Sequence, residues 1–236
     1  MNYVKFRYYK SSFSTLLFMD KNAVVRDVKL VEKFLKKGDV FIDVGANIGT
    51  WTLFAASKVG NVGRVYSFEP HPVTYKYLTG NVLLNKTNNV TAVNCGIGNN
   101  DGNLYFTNSL DDQNHITYEN GIDSIKIPVN RLDDLMENER KIRLLKLDVE
   151  GFELMALQGA FETLKKTEIL IFESWELSQS NYKYKTSELF SFIRSCGFQI
   201  YRIGDSGIYT RIENNDYSSK TCENLIAVKD MKILEN

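Results

Sequence analysis

Cysteine is scarce in this chain: Cys95, Cys196 and Cys222 lie far apart and form no C-x-x-C pair. An odd, dispersed set excludes a disulfide scaffold and a cysteine-based zinc centre, and reads as incidental thiols in a reducing compartment. Net charge is absent as well. Lys plus Arg number 29 and Asp plus Glu number 29, so no global basic footprint exists and nucleic acid is not an expected partner. No stretch approaches the ~18 uninterrupted apolar residues of a membrane span. Met1 to Lys10 is aromatic and basic, without the apolar centre of a signal peptide. These absences set the expectation of a cytoplasmic protein. What remains is ordinary for a folded domain: 43% apolar and 25% charged residues over 236 positions. Folding at this length buries roughly 70% of the unfolded surface, so no staple is required.

The hydrophobic pattern alternates between strand and helix. Phe13 to Met19 reads as a short strand or cover segment. From Asn22 to Lys37, Val24, Val28, Val31, Phe34 and Leu35 recur at helical spacing, and Gly38 ends the run. Val40 to Val44 is a short apolar run of the kind buried on both faces of a parallel sheet. Helices follow at Thr50 to Val59 and Pro72 to Asn85, and strands at Arg64 to Phe68 and Val90 to Ile97. The alternation breaks between Gly98 and Asn130. There, Leu104 to Asn108 and Ser124 to Asn130 read as strands of a β insertion, around a polar loop with Asp111, Asp112, His115 and Tyr118. It resumes with a strand at Arg143 to Asp148, a helix at Phe152 to Leu164 and a strand at Glu168 to Glu173. A helix at Thr186 to Cys196 and strands at Phe198 to Ile203 and Asn224 to Val228 complete it. Asn181 to Lys185 reads as a solvated loop. The expectation is one α/β domain over residues 38–236, with residues 1–37 as a lead-in packed on it.

Chemistry concentrates at the strand ends. Asp43-Val44-Gly45-Ala46-Asn47-Ile48-Gly49-Thr50 is a glycine-bearing strand-to-helix turn, placed where open α/β sheets bind ligands. It fails the dinucleotide fingerprint, which needs glycine where Asn47 and Thr50 stand, and it lacks the Gly-Lys-Ser/Thr of a phosphate loop. Glu69 ends the next strand before Pro70, the position from which a carboxylate accepts both hydroxyls of a ribose. Lys146-Leu147-Asp148-Val149-Glu150-Gly151-Phe152-Glu153 places three carboxylates within six residues at another such turn, Glu153 as a helix-start acid. Glu173 ends the following strand, next to Trp175. Four sheet strands thus end in Asp43, Glu69, Asp148 and Glu173.

These motifs together (D-V-G-A-N-I-G, S-F-E-P-H-P, N-C-G-I-G-N-N-D-G and L-K-L-D-V-E-G-F-E) resemble those of FkbM-type methyltransferases, over about residues 38–177. The resemblance implies a class I S-adenosylmethionine-dependent fold: a Rossmann-like seven-stranded sheet of order 3-2-1-4-5-7-6, its seventh strand antiparallel. It implies that Asp43, Gly45, Asn47, Gly49 and Thr50 surround the methionine part of the cofactor. Glu69 with Pro70 then matches the ribose site, Cys95, Gly96 and Ile97 flank the adenine, and Asp148 stands beside the transferred methyl. The implied activity is O-methylation of a hydroxyl on a sugar, glycan or secondary metabolite. Asp148, Glu150 and His115 are the candidate bases, and Glu173, Trp175 and Tyr118 the acceptor-side residues. Some class I O-methyltransferases hold a divalent cation where Asp148 and Glu173 stand, but nothing in the spacing requires one and no metal is assigned. His71, between two prolines, is expected to be structural or cofactor-side. A nicotinamide-dependent oxidoreductase and a non-catalytic binding module are the alternatives. Asn47 and the acidic fourth strand count against the first, and retention of Gly45, Glu69 and Asp148 counts against the second.

Overall fold

A computed structural model describes residues 4–20, 24–109, 114–204, 208–213 and 217–235. The chain divides into two units, Met1–Gly96 with Gly102–Val129 and Ile97–Asp101 with Asn130–Asn236.

The first unit opens with helices α1 (Ser12–Met19) and α2 (Val25–Phe34), then alternates β1 (Val40–Val44), α3 (Thr50–Val59), β2 (Arg64–Phe68), α4 (Pro72–Leu84) and β3 (Val90–Val93). β1 pairs with β2 and β2 with β3, both parallel. All five β1 residues are buried, as the unbroken apolar run requires. Phe41, Ile42, Leu53, Phe68 and Leu78 form the core, and Trp51 stacks on Phe41 with ring centroids 6.4 Å apart. A small second sheet has the order β4 (Gly96–Ile97), β7 (Ser124–Asn130), β5 (Gly102–Thr107), β6 (Ile116–Thr117).

The second unit contains α5 (Leu132–Leu135), β8 (Ile142–Leu147), α6 (Glu153–Gln158), α7 (Phe161–Lys165), β9 (Thr167–Ser174), α8 (Glu176–Ser180) and α9 (Thr186–Ser195). It continues through β10 (Gln199–Ile203), β11 (Tyr209–Arg211), β12 (Glu223–Val228) and α10 (Lys232–Glu235). β8 and β9 are parallel. β12 lies between β9 and β10, antiparallel to both, and β11 hydrogen-bonds the far side of β10. Phe172 and Phe190 meet edge to face at 6.1 Å in its core.

Several expectations are corrected. Among the described residues the main-sheet strands number eight, three in the first unit and five in the second, where seven were expected, because the polar hairpin after β10 forms the edge strand β11. The segment read as a strand at Phe13 to Met19 is helical: Ser11 caps it, its hydroxyl accepting the Ser14 N–H at 2.9 Å. The third strand stops at Val93, since the Asn94 side chain turns to donate to the carbonyls of Glu69 and Pro70 at 2.8 and 2.9 Å. The helix expected over Phe152 to Leu164 breaks at Gly159, and Asp133 receives the Glu162 and Thr163 N–H groups at the start of its second half. The Asn181 to Lys185 loop is solvated only in part: Asn181, Lys183 and Lys185 are exposed, whereas Tyr182 and Tyr184 are buried. Asp111 and Asp112 lie outside the described residues.

Gly159 is where backbone meets backbone. A Cβ there would stand 1.9 Å from the carbonyl oxygen of Gly98, so no rotamer change relieves the clash. Gly159→Ala is expected to lower the unfolding free energy by about 3 kcal/mol or more, measured by urea denaturation at constant m-value.

Candidate active site

The first unit presents a loop gripped by one carboxylate. After β1, the N–H groups of Gly45 and Ala46 both donate to the Phe68 carbonyl at 3.0 Å, closing the turn onto β2. Asn47 and Gly49 take positive φ, +50° and +95°. Asn47 tolerates this conformation, its side-chain oxygen accepting the next N–H, that of Ile48, at 2.8 Å. At Gly49 a side chain would also strike Leu78 Cδ1 at 2.8 Å, so α3 can start this close only from glycine. Glu69 completes the arrangement: Oε2 accepts the Asn47 N–H and Oε1 the His71 N–H, each at 2.9 Å. Burial of this carboxylate is compensated by those bonds.

Asp43 is fully buried and accepts the Thr52 hydroxyl at 2.6 Å. Thr52 in turn meets Ser67 at 2.8 Å, tying α3 to both strands. Thr50, Cys95 and Ile97 are buried too, and Gly96 backs onto Ile116, Ile127 and Val129, so these positions can meet a ligand only through backbone. Pro70 is half-buried. His71 caps α4, its Nδ1 accepting from the Thr74 N–H, and its Nε2 meets Asn108 Oδ1 at 2.7 Å. His115 is half-buried, its backbone paired with Thr107, whereas Tyr118 is exposed. A separate cavity of about 470 Å³, lined in part by Lys37, Gly60, Asn61 and Asn89, holds none of the nominated residues.

The second unit gathers carboxylates. Asp148, Glu150 and Glu173, from the tips of β8 and β9, each bring one oxygen within 4.8 Å of the others. Among the described residues they are the one group of His, Cys, Asp and Glu side chains close enough to hold a metal ion. Lys146 pairs with Asp148 at 3.2 Å. Burial, followed by the charges of Asp148, Glu150 and Glu153, holds the Glu173 carboxyl well above the usual range. The Cys222 thiol donates to Glu173 Oε1 at 2.8 Å, and burial beside that carboxylate pushes the thiol up as well. Such a cluster keeps a proton or takes a cation, because three adjacent carboxylates repel one another when all are ionised. Trp175 is half-buried just beyond Glu173.

Glu153 opens α6, as expected of a helix-start acid, and is engaged beyond the helix dipole. It is 1% exposed and accepts the N–H of Gly151 at 3.0 Å and of Val149 at 3.3 Å. The Tyr184 hydroxyl lies 2.7 Å from the Gly151 carbonyl and 3.1 Å from Glu153 Oε2. One phenolic proton serves the shorter bond, so the longer contact is satisfied when Glu153 is protonated and donates to Tyr184. Burial raises Glu153 to about 7, in agreement with that arrangement. Sequence reasoning placed Tyr184 in a solvated loop and gave Cys222 no role at the site. Tyr184 sits among lysines that suggest water, and Cys222 reaches Glu173 only through the β12–β9 pairing.

The sequence model of the methyltransferase FkbM domain matches residues 43–200. The chain belongs to the FkbM methyltransferase family. The three matching curated methyltransferases are 28–30% identical, and the chain spans 57–69% of their length. One is the hexuronic acid methyltransferase AglP of Haloferax volcanii, 30% identical over 148 residues, covering 62% of this chain and 60% of that protein. Among solved structures, the FkbM methyltransferase of Methylobacillus flagellatus is similar with a TM-score of 0.54 and 18% identity, over 94% of this chain and 55% of that one. A SAM-dependent methyltransferase from Aquifex aeolicus gives 0.51 and 16%, over 92% and 98%. The fold of this FkbM family member is therefore the Rossmann-like α/β fold of class I methyltransferases.

Glu153 makes folding pH-dependent. Its folded pKa, about 7, exceeds the unfolded value near 4.5, so the native state binds the proton more tightly. The resulting stabilisation is complete below about pH 4.5 and is lost as pH rises to about 7. Glu153→Gln keeps an acceptor for Gly151 and a donor for Tyr184 without that proton. Relative to wild type, the variant is expected to gain on the order of 2–3 kcal/mol between pH 4.5 and 8, read from urea melts across pH.

Proposed function

We propose that this protein is an S-adenosylmethionine-dependent methyltransferase acting on a hydroxyl of a sugar, glycan or secondary metabolite. The observation that carries the cofactor assignment is the Glu69 carboxylate gripping the Asn47 and His71 N–H groups at the tip of β2. A carboxylate has about four acceptor directions, so one that holds two backbone N–H groups is chemically able to receive a vicinal diol. The residues fit the cofactor. Gly45, Asn47 and Gly49 supply a tight glycine-bearing loop for the amino-acid end, Glu69 and Pro70 the ribose site, and the backbone of Cys95, Gly96 and Ile97 the adenine edge. Asp43 and Thr50, being buried, act by shaping the loop.

When bound, S-adenosylmethionine supplies a methyl group already activated on a sulfonium. The protein's own work is then to orient an acceptor and remove its proton as the oxygen attacks. Glu173 is poorly suited to be the base, because burial and the neighbouring carboxylates disfavour its ionised form; it suits an acceptor-binding role with Trp175. Asp148 and Glu150 are the proposed bases, with Asp148 held in place by Lys146. His115 and Tyr118 belong to the β insertion of the first unit and are assigned to the acceptor side. The name of the relative AglP, a hexuronic acid methyltransferase, supports a sugar acceptor.

Calorimetry on wild type is expected to show binding of S-adenosylmethionine and S-adenosylhomocysteine and none of NAD. Glu69→Ala should weaken the adenosyl ligands at least tenfold, since it removes a charged acceptor. With a panel of free sugars and uronic acids as acceptors, Asp148→Asn is expected to lower kcat by about 10²-fold or more with little change in cofactor affinity. A folded wild type that binds NAD and no adenosyl sulfur ligand would overturn the assignment.

A further inference from the structure

The segment Val4–Tyr9 precedes the region matched by the family model and forms neither helix nor strand, yet its backbone is held in register on α4. Two asparagines one helical turn apart do this. Asn85 accepts the Lys5 N–H at 2.9 Å and donates to the Lys5 carbonyl at 2.7 Å. Asn81 accepts the Arg7 N–H at 2.6 Å and donates to the Arg7 carbonyl at 3.2 Å. A carboxamide carries the donor and acceptor of a peptide group, so side chains at i and i+4 of the helix imitate two rungs of a strand edge for residues at i and i+2 of the segment. Aromatic contacts fasten the same strap: Phe6 lies 6.2 Å from Phe54 of α3, and Tyr9 lies 5.0 Å from Tyr77 of α4.

Asn81 does one thing more. It is fully buried, and its Nδ2 also donates to the carbonyl of Ile48 at 2.9 Å. Its oxygen and both N–H groups are therefore occupied, two by the strap and one by the loop. Ile48 stands between Asn47, whose N–H is on Glu69, and Gly49, whose left-handed turn starts α3. The orientation of this one carboxamide is set by Arg7 and delivered to the centre of the loop.

We propose that Asn81 is a positioning residue for the loop 45–49 and that the strap Val4–Tyr9 is a working part of the cofactor site, holding Asn81 so that it fixes the Ile48 carbonyl. The ligand half of this inference rests on the adenosyl-cofactor reading above. With the strap displaced, water reaches Asn81, its amide rotates, and the Ile48 peptide is free to turn away from the conformation that presents Asn47 to Glu69. The loop then has to be ordered by the ligand, which lowers affinity without altering the chemistry of the bound state.

The test uses the full chain and two variants. Asn81→Ala removes the link on the loop side. Arg7→Pro leaves Asn81 intact and deletes the N–H that its oxygen accepts, with Arg7→Ala as the control for loss of the side chain. Hydrogen–deuterium exchange of the peptide spanning residues 45–49, recorded without ligand, is expected to quicken about tenfold in both. The Kd for S-adenosylhomocysteine and the KM for S-adenosylmethionine should rise about tenfold in both, with kcat at saturation unchanged. Unchanged loop exchange and unchanged Kd in folded variants would overturn the proposal, and a fall in kcat with KM constant would overturn the positioning role. Should Asn81→Ala not fold, Arg7→Pro alone decides. If wild type binds no adenosyl ligand, the cofactor half fails, while faster loop exchange in Arg7→Pro would still support the link from strap to loop.

Discussion

Two backbone N–H groups, those of Asn47 and His71, converge on the carboxylate of Glu69, and the loop architecture of the first unit is arranged around that grip. One N–H comes from the turn after β1 and the other from the turn after β2, so a single side chain ties two strand ends together. Each turn is secured again from outside. Asn94 holds the carbonyls of Glu69 and Pro70, Asn81 holds that of Ile48, and His71 caps α4 while reaching Asn108 in the β insertion. Polar side chains thus do here what regular pairing does within a sheet: they satisfy the backbone groups that strand ends leave over.

The second unit is governed by the opposite problem, an excess of acceptors. Asp148, Glu150 and Glu173 crowd together, and Lys146 offsets one charge. The turn they flank is held from behind by Glu153, whose two backbone bonds and tyrosine contact are compatible with a neutral carboxyl. Within one short motif, burial separates the acids by task. Asp148 and Glu150 keep contact with solvent, whereas Glu153 is closed off and bonded to the backbone of the turn.

Legibility in the sequence follows the same division. Strands β1, β2, β7, β8, β9, β10 and β12 were readable because apolar runs bounded by glycine, proline or charge are strong local signals. The strand-end acids were readable for a related reason, since a carboxylate closing an apolar run stands out. What escaped was set by distant partners. The helix break at Gly159 depends on Gly98, and the early end of β3 depends on Asn94 finding carbonyls at the tip of β2. Burial of Tyr184 depends on a glycine carbonyl 33 residues earlier. α1 escaped because its capping serine is outweighed by an aromatic, period-free run. The strap was invisible because its pairing uses helix side chains, which no backbone pattern announces.

The chain has only two tryptophans, and each belongs to a different unit. Trp51 is buried on Phe41 in the helix that leaves the glycine loop, and Trp175 is half-buried two residues beyond Glu173. Indole emission follows the polarity of its surroundings, so Trp51 is expected to emit at shorter wavelength than Trp175. Replacing either with phenylalanine leaves a single tryptophan, beside the loop or beside the acidic cluster. The molecule therefore carries its own pair of optical reporters, one in each unit.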